Sequence, residues 1–303
     1  MESKVAKNTS NEELLSLNSS LNWPAIKQLL QQQVQVAIDL YTQRSGMRCV
    51  PLDASSIPLQ GLNDKIGLYR CAIALKLSNL WHLNAIEIAS GLVDCLPTCN
   101  ITTGRFVLEF TVEVVPPGWI NFQLTAEGIA AWLQHTLMEA EPRYYRSQAE
   151  PGNEEGWAAA SRAKTTLFPL QYAHARCCSL LRLGHREGLI ELSNPNPDIP
   201  AFQIIDPAPI PWLDGLQQLR FVHPAELRLI ACLWAIAEES SGNSKIHLAI
   251  AFESFYSSCR IWGEVKTQAR ELAIARLGLV AVSQLLLSLL MQEFWGISAP
   301  IEL

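Results

Sequence analysis

Residues 106–124 read FVLEFTVEVVPPGWINFQL. Phe106, Leu108, Phe110, Val112 and Val114 alternate with Val107, Glu109, Thr111, Glu113 and Val115, which places one set on each face of a strand. Pro116-Pro117-Gly118 interrupts the run, and Trp119–Leu124 alternates again, so the two segments form a hairpin. On either side the period is helical. Upstream, Ile26, Leu29, Leu30, Val34 and Ala37 recur at helical spacing within Pro24–Arg44, with Pro24 suited to the first turn. Asp64 suits the cap of a second helix reaching about Leu83, and Asn84 the cap of a third ending before Pro97. One or two further strands are expected near Met47–Leu52. Downstream, Thr125 caps a helix running through Trp132 and Leu137.

This order predicts a mainly α chain: a small α+β N-terminal domain followed by an all-α helical bundle. Residues 1–20 are polar, Asn/Ser-rich and expected to be a flexible N-terminus without a signal peptide. Residues 21–138 form the α+β domain. Residues 139–163 (from EAEPRYYRSQ to GWAAASRA) are charged, contain Pro and Gly, show no sustained period and read as a linker. Residues 164–303 carry helices at Thr166–Arg186, Pro224–Ser240, Lys245–Ile261 and Gln268–Phe294, with a Pro-rich loop at Asn194–Pro211.

Composition narrows the function classes. The chain is 49% apolar and 17% charged, which suits packed globular units. The net charge of −6 does not favour phosphate as a partner. From Lys164 onward there are 11 Lys or Arg against 13 Asp or Glu. The apolar run Leu277–Met291 contains Ser283, Gln284 and Ser288, and is expected to be a buried core helix with no membrane involved. The eight cysteines read as reduced cytoplasmic thiols. Cys95 and Cys99 have metal-like spacing but lack a second pair, so no metal or cofactor is expected. The neighbouring pairs Glu154/Glu155 and Glu238/Glu239 point apart in sequence and read as solvated surface. No Ser-His-Asp order or phosphate-cradling glycine loop is present, and no catalytic residue is assigned.

The second domain resembles the DALR anticodon-binding domain of arginyl-tRNA synthetases. Leu170–Arg176 (LQYAHAR) is similar to the family's VQYAHAR segment, and Phe252–Cys259 (FESFYSSC) to its FxxFYxxC helix. Ala275–Val280 (ARLGLV) with Trp295–Pro300 (WGISAP) is similar to its ARLALV helix and closing GIxAP segment. The first domain resembles the same family's N-terminal additional domain. There, Gly67–Leu75 (GLYRCAIAL) is similar to a GDYATNVAL helix start and Pro117–Leu124 (PGWINFQL) to a PGFINFRL hairpin. In the family a Rossmann domain with HIGH and KMSK signatures lies between these regions. Neither signature occurs here, the DALR tetrapeptide is missing, and residues 139–163 are too few for a doubly wound domain.

The resemblance implies a non-catalytic arginyl-tRNA synthetase-like protein, a pseudoenzyme that binds arginine tRNA or works with a tRNA-processing protein in the cytoplasm. It implies tRNA-contact roles for Tyr172, Arg176 and Tyr256, for Leu303 where the family has Met, and for Tyr69 in the first domain. Aromatic faces would stack unpaired bases and Arg would supply a planar donor fork. His174 reads as a packing residue. Leu68 and Ala72 replace the family's Asp and Asn. That loss, the acidic balance and the loop tryptophans Trp157, Trp212 and Trp295 support a second reading: a protein-interaction scaffold that keeps the fold without RNA binding.

Overall fold

A computed structural model describes residues 26–47, 52–62, 65–96, 100–103, 106–139, 164–193, 203–238 and 244–302. The chain is mainly α with a small α+β part, as the periodicities predict, and it divides into two compact units between Trp132 and Leu133. The linker expected at 139–163 lies outside the described residues apart from Glu139, which ends a helix.

The first unit holds helices α1 (Ile26–Ser45), α2 (Ile73–Trp81) and α3 (Ala85–Asp94), and strands β1 (Leu59–Leu62), β2 (Leu68–Cys71), β3 (Asn100–Thr103), β4 (Phe106–Val115) and β5 (Trp119–Leu124). Helix α4 (Ala126–Glu139) begins in this unit. The strands make one sheet in the order β1-β2-β5-β4-β3, antiparallel throughout. The hairpin falls where the alternation puts it, with Val115 opposite Trp119 and Phe110 opposite Leu124. Leu108, Phe110, Ile120, Phe122 and Leu124 face inward onto Ile73, Leu77, Ile88 and Leu92 of the helices. Two expected caps are formed: Asn84 Oδ1 accepts from the Ile86 N–H at 2.9 Å, and Thr125 Oγ1 from the Gly128 N–H at 3.1 Å.

The strands upstream of the hairpin are not where the sequence led us to expect them. Met47 and Leu52 lie in no strand, residues 48–51 are outside the described set, and β1 and β2 occupy 59–62 and 68–71. The second helix therefore starts at Ile73, not near Asp64, and Leu68–Cys71 is sheet. Gly67 explains part of this. Its φ is +65°, and a Cβ there would lie 2.6 Å from that of Leu124, so only glycine lets the chain turn into β2 against the end of β5.

The second unit is a helical bundle of α5 (Lys164–Arg186), α6 (Pro224–Glu238), α7 (Ser244–Ser258) and α9 (Arg270–Trp295), with a short α8 (Glu264–Gln268) before α9. The Pro-rich loop contains a strand that the sequence did not suggest: β7 (Ile204–Asp206) pairs antiparallel with β6 (Glu191–Leu192). Every residue of α9 from Ala273 to Met291 is buried. Among the described residues, α9 alone is long and apolar enough to cross a membrane. Its surface is instead covered by packing against α5, α6 and α7, as expected of a helix apolar on all sides within a bundle.

Candidate functional site

Helix α5 carries the densest set of chemically useful side chains. Its repeat of apolar residues buries Leu170, Ala173, Cys177, Leu180 and Leu181 against the bundle. That leaves Phe168, Tyr172 and Arg176, spaced four apart, to follow one another along a different face. Phe168 and Tyr172 are 59% and 45% exposed, and their rings stack with centroids 6.3 Å apart and planes at 26°. One turn further on, Arg176 lies over the Tyr256 ring, its Cζ 4.4 Å from the centroid, and Arg176 Nη2 donates to the Tyr256 hydroxyl. Tyr256 comes from α7, so the pair joins the LQYAHAR and FESFYSSC blocks of the sequence across the helix interface. Arg176 Nε is buried without a hydrogen-bond partner, and among the described residues no carboxylate pairs with this guanidinium. The result is a half-buried cation held by an aromatic ring beside two further open rings.

The structure thus brings Arg176 and Tyr256 into contact and sets Tyr172 one helical turn away. Leu303 lies outside the described residues, but the chain leading to it is anchored along α5. His174 Nδ1 is 2.8 Å from the Pro300 carbonyl oxygen, and Arg182 Nη1 is 3.3 Å from Glu302 Oε1. Tyr69 is placed differently from the expectation of a tRNA contact. It lies in β2, is 2% exposed, and meets Phe110 edge-on inside the sheet core, so neither ring face is open to a base. Once residues 68–71 form a strand, alternation sends Tyr69 and Cys71 inward with the core. Phe168 was not singled out from the sequence. The visible signal was an aromatic four residues before Tyr172 on one helix.

His174 is a packing residue. It is fully buried, and burial pulls its imidazole down to about 4. The Pro300 carbonyl can only accept, so Nδ1 carries the proton, and Nε2 accepts from Gln284 Nε2 at 3.0 Å. One neutral imidazole therefore ties α5 to α9 and to the C-terminal segment. The adjacent thiols are also inert: burial pushes Cys178 up to about 12 and Cys177 well above its ordinary value. Arg276, in the ARLGLV block, serves the fold. It is buried, pairs with Glu226, and Nη1 donates to the Arg260 carbonyl. Of the tryptophans read as loop aromatics, Trp212 is 3% exposed and packed under Gly278 of α9, Trp295 is half-buried, and Trp157 lies outside the described residues.

No group of three His, Cys, Asp or Glu side chains is placed to hold a metal among the described residues, and Cys99 and Glu154, Glu155 and Glu239 lie outside them.

Comparison with known proteins adds a family signal. Over 142 residues the chain is 34% identical to a protein of Synechococcus sp. (strain JA-3-3Ab), a match covering 43% of this chain and 21% of that one. Over 154 residues it is 31% identical to proteins of Heliobacterium modesticaldum and Moorella thermoacetica, covering 47% of this chain and 24% and 23% of theirs. All three are arginine–tRNA ligases. The chain is arginine–tRNA ligase-like over somewhat less than half its length, and the matches span less than a quarter of each relative. No family model matches the chain, and no solved structure matches it.

Proposed function

We propose that this chain is a non-catalytic arginyl-tRNA synthetase-like protein that binds arginine tRNA through an anticodon-binding bundle, in the cytoplasm. The observation that carries this reading is the α5–α7 aromatic-cation site. Tyr172, Arg176 and Tyr256, which the resemblance nominates separately, sit within one stretch of surface, in a chain similar to arginine–tRNA ligases. Unpaired loop bases are recognised by aromatic faces and Arg planes, and this site offers both. The elbow-recognition role is not part of the proposal, because Tyr69 is enclosed.

Aminoacylation is excluded from the proposed role because a nucleotide-binding doubly wound domain needs far more chain than residues 140–163 between α4 and α5. The chain would then hold its tRNA for another enzyme of tRNA metabolism. The competing scaffold reading is supported by Leu216 and Val222, 81% and 82% exposed in the loop before α6.

The test is a filter-binding titration of the purified full chain with arginine-tRNA transcript and an unrelated tRNA, at low and moderate salt, beside an aminoacylation assay. The proposal requires saturable binding that prefers the arginine tRNA, and no charging. Absence of any tRNA-dependent signal at low salt sinks it, and so does arginine transfer by the chain alone.

A further inference from the structure

Phe168 has a place in the site that neither its resemblance nor its burial explains. A large apolar side chain on a bundle helix is ordinarily turned toward the core, yet Phe168 is 59% exposed. It is not loose on the surface either. Its ring lies nearly parallel to that of Tyr172, 26° between planes and 6.3 Å between centroids, with Tyr172 itself 45% exposed. The four-residue spacing continues to Arg176, whose charge is met by the Tyr256 ring and, among the described residues, by no carboxylate. Two open, near-parallel rings followed along the same helix by an uncompensated cation form a sequence of surfaces suited to a single-stranded nucleic acid. Each π-face accepts any base, and the cation offsets backbone charge. A protein partner would profit from the apolar rings but gain less from the unbalanced guanidinium.

From this geometry we infer that Phe168 and Tyr172 together form a two-ring stacking platform for successive unpaired bases of the bound RNA, with Phe168 a specificity residue for single-stranded over paired RNA. This rests on the RNA-binding reading above and adds to it a residue and a substrate form: an open loop whose bases are splayed from their own stack.

The test uses the full chain and a fluorescently labelled anticodon stem-loop of an arginine tRNA, alongside the same sequence closed into a duplex. Phe168→Ala and Phe168→Leu each weaken stem-loop binding about ten-fold, because Leu keeps apolar bulk but has no flat face. Phe168→Trp restores wild-type affinity. Duplex binding is weak and does not change among the three variants, a pattern that a merely structural role for Phe168 cannot produce; urea midpoints confirm that each variant folds. Stem-loop affinity unchanged in Phe168→Ala or Phe168→Leu overturns the platform while leaving the RNA-binding proposal standing, as does failure of Phe168→Trp to restore it. Loss of a co-purifying protein in Phe168→Ala with unaltered RNA affinity overturns it in favour of a protein surface. No RNA binding by the wild-type chain overturns both readings together.

Discussion

Arg276 and Glu226 are paired inside the bundle, with Arg276 Nε 2.6 Å from Glu226 Oε1 and the two side chains 9% and 0% exposed. The same carboxylate accepts from the His223 N–H through Oε2 at 2.8 Å, so it closes the first turn of α6 as well as fixing α9 to it. The guanidinium is held at a second point, since Arg276 Nη1 donates to the Arg260 carbonyl. Removing one partner would leave the other charge buried and alone, which costs about 3–5 kcal/mol. Arg276→Leu should therefore lower the unfolding free energy from urea titration by that amount, and Glu226→Gln, which keeps a hydrogen-bonding group, by less. If Arg276→Leu is as stable as wild type, the pair is not holding α6 to α9.

Gly278 invites the opposite of the usual expectation for glycine in a helix. In an open helix Gly→Ala is stabilising by about 1 kcal/mol. Here a Cβ at 278 would lie 2.4 Å from Trp212 Cη2 and 3.0 Å from Ile210 Cγ2. Trp212 is buried and wedged against Phe221, so it cannot swing away cheaply. Overpacking of this kind costs about 1–3 kcal/mol and should win. Gly278→Ala is expected to destabilise the chain, and Trp212→Leu to destabilise it by opening a cavity. The double variant should be more stable than the sum of the two losses, measured by a denaturation cycle. Strict additivity would show that the two residues do not share a contact.

His174 predicts a pH effect of definite sign. Its folded value of about 4 lies below the ordinary 6.5, so the folded state resists protonation that the unfolded chain accepts. The stability contributed by the neutral imidazole is complete above about 6.5 and is lost progressively as pH falls toward 4. At one proton the slope is about 1.4 kcal/mol per pH unit, or about 3 kcal/mol over the window. Urea midpoints of the wild type between pH 7 and pH 4 should fall more steeply than those of His174→Gln, whose amide cannot titrate. Parallel profiles would show that His174 is not the group responsible.

The legible and illegible parts of this fold divide along physical lines. The hairpin announced itself because six to ten alternating residues flank a Pro-Gly turn, and Asn84 and Thr125 because a cap is a local hydrogen bond. Strands β1 and β2 are four residues each, too short for alternation to stand out, and β2 exists as a strand through its pairing with β5 about fifty positions away. Leu68–Cys71 read as part of the helix expected from Asp64 and Tyr69 as a contact residue, whereas the sheet turns Tyr69 into the core. Strands β6 and β7 hold only two and three residues and are invisible for the same reason. At the site, the separate blocks pointed to Tyr172, Arg176 and Tyr256. That Arg176 and Tyr256 meet could not be read from residues eighty positions apart. Phe168 was in plain view, one turn from Tyr172, but exposure decides its role and exposure is a tertiary property.

The charge on Arg176 separates two ways in which the site could hold RNA. A guanidinium aimed at a phosphate contributes through counterion release, so its removal flattens the dependence of affinity on salt. One aimed at a base edge changes affinity at every salt concentration alike. Arg176 Nη2 is already committed to the Tyr256 hydroxyl and its Cζ lies over the ring, which leaves a partly screened cation with few free donors. Such a group is better suited to a backbone phosphate than to a bidentate base contact, which needs the whole planar fork. We therefore expect Arg176→Ala to weaken arginine-tRNA binding and to reduce the magnitude of the log–log salt slope by about 0.7, the value for one contact to a single strand. Arg176→Lys should restore the slope without restoring all of the affinity, because a lysine keeps the charge but stacks less well on Tyr256. A slope unchanged in Arg176→Ala, with affinity lowered equally at all salt concentrations, would assign Arg176 to a base and reverse this expectation.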